Sequence, residues 1–138
     1  MRPTRSETLL EVASVIARRS TCNRLNVGAV VAREGRILTT GYNGPPSGMS
    51  HCEHELHEGP CQIAVHAEAN AVAFAARYGM STDQAELFLT HSPCHTCAKL
   101  IINAGIVRVY YLIEFREPHG LDLLEMAGVE THYGPRAT

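Results

Sequence analysis

Two short motifs in different halves of the chain constrain its fold most strongly. The first is His66-Ala67-Glu68, and the second is Pro93-Cys94-His95-Thr96-Cys97. Each motif stands at the start of a predicted helix, after a strand or a loop. Two helix N-termini that meet over one sheet can bring His66, Cys94 and Cys97 onto one ion. The two motifs therefore favour an α/β fold with both helices on a shared sheet.

These three side chains form a ligand set for zinc. A catalytic zinc takes three imidazole or thiolate ligands and leaves its fourth position to water. Glu68 lies two residues from His66, where we expect it to move protons rather than bind the metal. A lone Cys-x-x-Cys also fits a redox pair or half of a structural zinc site. Together, H-x-E and P-C-x-x-C are the signature of zinc-dependent nucleobase deaminases.

Composition limits the alternatives. A chain of 138 residues predicts one domain, 1–138, with residues 134–138 as a frayed tail. The formal net charge of −2 argues against a domain that chiefly binds a nucleic-acid backbone. Without an apolar signal segment or a membrane-length apolar run, we expect a cytoplasmic protein. Five cysteines, an odd number, favour thiols and metal ligands over disulfides.

Hydrophobic patterns and turn signals predict the order of elements. Thr4 and Glu7 form a capping box for a first helix. A hairpin with the turn Glu34-Gly35 follows. The remaining predicted elements are strands at 27–32, 36–40, 85–90, 107–113 and 129–133, and helices at 66–78, 94–104 and 121–127. Alternation after the hairpin implies parallel crossovers, so we expect a mixed sheet of about five strands with helices on both faces. We expect the Gly/Pro-rich loop 41–61 to be functional.

Several longer segments carry a closer resemblance. They are Arg19-Ser-Thr-Cys-Asn-Arg-Leu-Asn-Val-Gly-Ala29, Gly41-Tyr-Asn-Gly44, His-Ala-Glu-Ala-Asn-Ala at 66–71 and Thr-His-Ser-Pro-Cys-His-Thr-Cys-Ala-Lys at 90–99. From the first helix to about Tyr133, the chain resembles the deoxycytidylate (dCMP) deaminase family, bacterial or phage type. The resemblance implies the cytidine-deaminase fold and hydrolysis of dCMP to dUMP and ammonia, which supplies the precursor for thymidylate synthesis. It also implies a homo-oligomer, hexamer or dimer, with dCTP and dTTP as effectors near the Gly41–Gly44 loop.

The resemblance further implies a set of substrate contacts. Asn43 and Asn70 match family positions that hydrogen-bond the nucleotide, and the backbone N–H of Ala67 would hold the pyrimidine carbonyl. Arg24 is the candidate for the 5′-phosphate, because a guanidinium suits phosphate geometry. A solvated loop charge is the alternative for Arg24. The other candidates for the substrate pocket are Asn26, His91 and Ser92.

Three further cysteines leave a second metal site open. Some members of the resembled family carry a structural zinc between their early loops, and closed zinc sites commonly use Cys₃His. The candidate ligands are Cys22, Cys52, His57 and Cys61, with His51 and His54 as rival histidines. Three reduced, buried cysteines are the alternative.

Other functions remain open at this point. A deaminase of a 5-substituted dCMP, of free (deoxy)cytidine or of a nucleic-acid base would use the same chemistry. The net charge speaks against the last, because flanking nucleotides need a basic surface. A non-catalytic zinc-binding assembly module would need the histidine and the cysteines but not Glu68. The presence of Glu68 therefore favours an enzyme.

Overall fold

A computed structural model describes residues 1–22, 25–50, 63–115 and 117–135. Within these residues the chain forms four helices and five strands in the predicted order. They are α1 Arg5–Ala17, β1 Gly28–Arg33, β2 Arg36–Tyr42, α2 Ala67–Arg77, β3 Glu86–His91, α3 His95–Asn103, β4 Arg108–Ile113, α4 His119–Met126 and β5 Glu130–Tyr133. The predicted bounds differ from these by at most two residues at either end.

The strands form one mixed sheet in the order β2-β1-β3-β4-β5. β1 pairs antiparallel with β2 and β3, whereas β3–β4 and β4–β5 are parallel pairs. The tight turn between β1 and β2 places Glu34 at φ 55° and Gly35 at φ 77°, the left-handed geometry that a two-residue hairpin turn requires. The predicted hairpin and parallel crossovers are confirmed.

The sheet lies between two helical layers. Alternate residues of a strand face opposite sides, so neighbouring residues of β1 enter two different cores. On one side α1 packs over the sheet through Leu9, Leu10, Ala13, Val30, Ala32, Phe88 and Tyr110. On the other side, α2, α3 and α4 pack through Ala71, Ala98, Ile101, Leu124, Ala29, Val31, Leu87, Leu89 and Val109. The prediction of helices on both faces is confirmed.

The first helix begins as predicted. The Glu7 N–H donates to Thr4 Oγ1 at 3.1 Å, and the Thr4 N–H donates to Glu7 Oε2 at 2.7 Å. This reciprocal pair satisfies two donors that a helix start otherwise leaves without partners. In the described parts of the chain, no helix combines the length and apolar character that crossing a bilayer requires.

Gly41 lets the first turn of α2 lie directly on β2. A Cβ at this position would overlap the Ala67 carbonyl oxygen and lie 2.6 Å from the Ala71 amide nitrogen. Both neighbours are backbone atoms of α2, so they cannot move aside without shifting the helix. The absence of a side chain at Gly41 therefore sets the distance between β2 and the helix that carries His66 and Glu68.

We predict that Gly41→Ala lowers the melting temperature by about 5 °C or more, because overpacking a well-packed site typically costs about 1–3 kcal/mol. Ala76→Ser adds one heavy atom to the exposed face of the same helix and should melt near wild type. Differential scanning calorimetry of the two variants measures the difference. Equal melting temperatures would contradict the close approach.

Candidate metal centre

The structure brings the three predicted ligands together. His66 Nδ1 lies 3.6 Å from Cys94 Sγ and 3.3 Å from Cys97 Sγ. All three ligand atoms lie within 4.8 Å of one another, and no other group of three such side chains occurs among the described residues. In tetrahedral zinc geometry, nitrogen and sulfur ligand atoms stand about 3.5 Å apart. The spacing and the donor types therefore fit zinc.

Two helix starts present these ligands. His66 is the N-cap residue of α2 and Cys94 is the N-cap residue of α3, and neither side chain makes a capping hydrogen bond. Hydrogen bonds from the Cys97 and His66 side chains lower the pKa of the Cys94 thiol to about 3. The positive end of α3 also favours a thiolate. Cys94 is thus suited to bind a metal ion as a thiolate.

Glu68 lies on the first turn of α2 and is 4% exposed. Burial raises the pKa of Glu68 above its ordinary value, while the backbone hydrogen bond, His66 and Cys97 oppose this shift. A carboxyl with a raised pKa holds a proton more readily than an exposed carboxyl does, which suits a group that accepts and returns protons. Glu68 stands outside the ligand group. Its position is consistent with the predicted role of proton carrier.

The two predicted asparagines brace the loops around the centre. Asn43 Oδ1 accepts the Val27 N–H at 2.8 Å, and its Nδ2 donates to the Leu25 carbonyl at 2.6 Å. Asn70 Nδ2 donates to the Tyr42 carbonyl at 2.9 Å, which joins α2 to the end of β2. These bonds give both amides a structural role that the sequence did not reveal. Their contacts with a nucleotide stay predictions.

His91, the last residue of β3, makes a side-chain hydrogen bond with its neighbour Thr90. The Thr90 hydroxyl accepts the Gly28 N–H at 3.1 Å and stands 2.8 Å from His91 Nδ1. Burial lowers the pKa of His91, which favours the neutral ring. The Thr90 contact occupies Nδ1 of the ring. His91 therefore has its Nε2 left for a further hydrogen bond.

The remaining predicted residues have different surroundings. Ser92 is buried, and its Oγ accepts the Phe115 N–H at 2.7 Å. Ala67 is the first residue of α2 and is fully buried, whereas Asn26 is exposed. Cys22 is buried. The other predicted or rival residues lie outside the part of the chain that the structure describes; they are Arg24, His51, Cys52, His54, His57 and Cys61.

One residue near the centre escaped the sequence analysis. Glu117 Oε2 accepts the N–H of His95, the first residue of α3, at 3.2 Å. No motif connects two residues so far apart in the chain. The sequence does indicate that α3 lacks a capping acceptor of its own, because its N-cap residue is Cys94 and its first turn has no acidic residue. The N–H groups at its N-terminus therefore need an acceptor from elsewhere.

Comparison with known proteins agrees with the fold and the centre. Residues 3–113 match the family model of the cytidine and deoxycytidylate deaminase zinc-binding region. The chain is 43% identical over 119 residues to ComE operon protein 2 of Bacillus subtilis, covering 83% of this chain and 63% of that protein. It is 30% identical, over an aligned length of 175, to deoxycytidylate deaminase of Enterobacteria phage T2; the alignment covers 96% of this chain and 93% of that protein.

A solved structure is similar over nearly its whole length. The dCMP deaminase of cyanophage S-TIM5, in complex with dCMP and dUMP, is 40% identical with a TM-score of 0.86 and covers 95% of this chain and 97% of that chain. Fold and centre together define a zinc-dependent deaminase. The chain belongs to the cytidine and deoxycytidylate deaminase family. The predicted fold, metal and enzyme class are confirmed.

We predict that Asn43→Asp destabilises the protein by about 1–3 kcal/mol at neutral pH, because a carboxylate would then face the Leu25 carbonyl without a hydrogen to donate. Urea unfolding followed by circular dichroism measures the change. Asn26→Asp makes the same chemical change at an exposed neighbour and should unfold near the wild-type midpoint. Equal loss in both variants would remove the bracing role of Asn43.

Proposed function

We propose that this chain catalyses the zinc-dependent hydrolytic deamination of dCMP to dUMP and ammonia. The observation that most directly supports this reaction is the triangle of His66, Cys94 and Cys97 with the buried carboxyl of Glu68 on the adjacent helix turn. The choice of nucleotide is supported by the similar cyanophage dCMP deaminase, which was solved with dCMP and dUMP. The similar phage T2 deoxycytidylate deaminase supports it further.

The residues divide the reaction between them. Zinc held by His66, Cys94 and Cys97 would supply Lewis-acid activation of water. Glu68 moves the two protons of the attacking water in turn, one to the ring nitrogen N3 and the other to the leaving amine. The water oxygen first adds to C4 of the pyrimidine, and the bond from C4 to the amino group then breaks to release ammonia. One dCMP and one water thus give one dUMP and one ammonia.

Several groups are proposed to orient the nucleotide. Ala67 is the first residue of α2, and an N–H at this position has no acceptor within its own helix. It is therefore suited to hold the pyrimidine carbonyl. The amides of Asn43 and Asn70 and the Nε2 atom of His91 are proposed as further contacts. Asn26 and Ser92 remain candidates for the same pocket, and Arg24 is proposed to bind the 5′-phosphate.

A cavity of about 230 Å³ is proposed to receive part of an effector, dCTP or dTTP. It is lined in part by Gly41–Tyr42, Gly44–Met49, Asn70 and Phe74. The Thr21 hydroxyl, which also lines it, is buried and has no hydrogen-bond partner among the described residues. Burying a hydroxyl in this way costs free energy, which a bound ligand could recover. Assembly into a homo-oligomer stays a prediction.

We predict that the zinc-loaded protein deaminates dCMP with a kcat/KM at least about 10-fold above that for deoxycytidine, because hydrogen bonds to a charged phosphate contribute about 1.5–3 kcal/mol. Ammonia release from dCMP, CMP, deoxycytidine and a 5-substituted dCMP, measured in parallel, checks this. Each assay is repeated with dCTP, which should raise the rate if the effector proposal holds.

The outcomes separate the candidate functions. Equal turnover of deoxycytidine would contradict phosphate recognition but keep the deaminase. Preference for the 5-substituted nucleotide would change the substrate alone. No turnover of any of the four, with zinc bound, would contradict nucleotide deamination. It would direct attention first to nucleic-acid substrates and then to an assembly module.

We predict that Glu68→Gln retains zinc but loses about 10²–10⁴-fold in kcat, because the amide cannot carry the proton. Elemental analysis gives the zinc content, and Glu11→Gln, an exposed change on α1, should behave as wild type. Retained turnover in Glu68→Gln would contradict the mechanism.

Elemental analysis of the wild-type protein also counts its zinc ions. Two zinc ions per chain would support the second site at Cys22, Cys52, His57 and Cys61, and one would contradict it.

A further inference from the structure

We propose that Glu117 is a positioning residue for the metal ligand Cys94, and that it acts by capping α3 from outside the helix. The proposal concerns the metal centre alone. It does not depend on which nucleotide the enzyme deaminates.

At the N-terminus of α3, the Cys94 side chain cannot both bind the metal and cap the helix. A helix usually begins with a polar N-cap side chain that accepts one of its first N–H groups. Here the N-cap residue is Cys94, whose Sγ belongs to the ligand triangle and makes no capping bond. The first turn of α3 contains no acidic residue. An acceptor must therefore come from another part of the chain, or from water.

Glu117 supplies that acceptor from the segment between β4 and α4. Its Oε2 accepts the His95 N–H at 3.2 Å. The same carboxylate lies 3.4 Å from His95 Nδ1 and 3.8 Å from His119 Nδ1. A negative charge at the positive end of a helix stabilises that end. Glu117 thus contributes both a hydrogen bond and a charge to the start of α3.

Further contacts from the end of β4, from the segment itself and from α4 hold the loop that precedes α3. The Ser92 N–H donates to the Ile113 carbonyl at 2.9 Å, and the Phe115 N–H donates to Ser92 Oγ at 2.7 Å. At Gly120 a Cβ would overlap the Pro93 carbonyl oxygen and lie 2.9 Å from the Cys94 carbonyl oxygen. The backbone around Cys94 is therefore fixed before and after the ligand.

Within this arrangement Glu117 has a distinct part. The Ser92 and Gly120 contacts act on backbone before and at Cys94, whereas Glu117 acts on the first peptide N–H after it. Without Glu117, the first turn of α3 can fray, and Cys94 Sγ loses its fixed position relative to His66 Nδ1. Groups that orient metal ligands from outside the coordination sphere typically change metal affinity by about 10–100-fold.

The test compares Glu117→Ala and Glu117→Gln with Glu125→Ala, which removes an exposed glutamate from α4. Zinc affinity is measured by competition with a chromophoric chelator, and ligand geometry by the visible spectrum of the cobalt-substituted protein. Glu117→Ala should bind zinc about 10-fold or more weakly and show altered cobalt bands. Glu117→Gln keeps an oxygen acceptor and should lie closer to wild type. Glu125→Ala should match wild type in both measurements.

Wild-type zinc affinity and cobalt bands in Glu117→Ala would overturn the proposal, even if turnover fell. If Glu117→Gln and Glu117→Ala lost zinc affinity equally, the capping hydrogen bond could not be the cause of the loss. If Glu117→Ala does not fold, Glu117→Asp, whose carboxylate is one methylene short, is measured in the same way with the same expectation. Neither measurement uses a nucleotide, so failure to deaminate dCMP would leave this result unaffected.

Discussion

The meeting of two helix starts over one sheet is the constraint on which the rest of the centre depends. The N-cap residues of α2 and α3 each use their side chain for the metal triangle instead of capping the helix that follows. Both helices therefore need support from elsewhere. The glycine at 41 allows α2 to seat on β2, and Glu117 supplies an acceptor for α3. The surrounding contacts compensate for what the two ligands give up.

The orientation of the strands explains why the helix starts coincide. β3 and β4 are parallel, and α3 crosses from one to the other on the same face as α2. Cys94 therefore follows the carboxyl end of β3, where functional groups of α/β sheets commonly gather. α1 lies on the opposite face and packs against a separate set of side chains. The helix layer that stabilises the sheet is thus distinct from the layer that carries the chemistry.

The sequence was informative where a function depends on close spacing along the chain. Glu68 lies two positions after His66, and Cys97 lies three positions after Cys94, so helix geometry alone relates the members of each pair. Hydrophobic patterns and turn signals likewise predicted the strands, and the capping box predicted the start of α1. The bonds made by Asn43 and Glu117 were not predictable in this way. They join backbone groups that are distant in sequence or lie in irregular segments, and a backbone N–H leaves no trace in residue identity.

The positions of the metal ligands also have a consequence for folding. His66 is separated from Cys94 by 28 positions and from Cys97 by 31. The contacts given above for the start of α3 come from residues no later than Gly120. Closing a loop of this length carries a modest entropy cost, which grows only slowly with length. An ion that bridges α2 and α3 would close this loop. Metal uptake and the packing of α3 beside α2 would then be one coupled equilibrium.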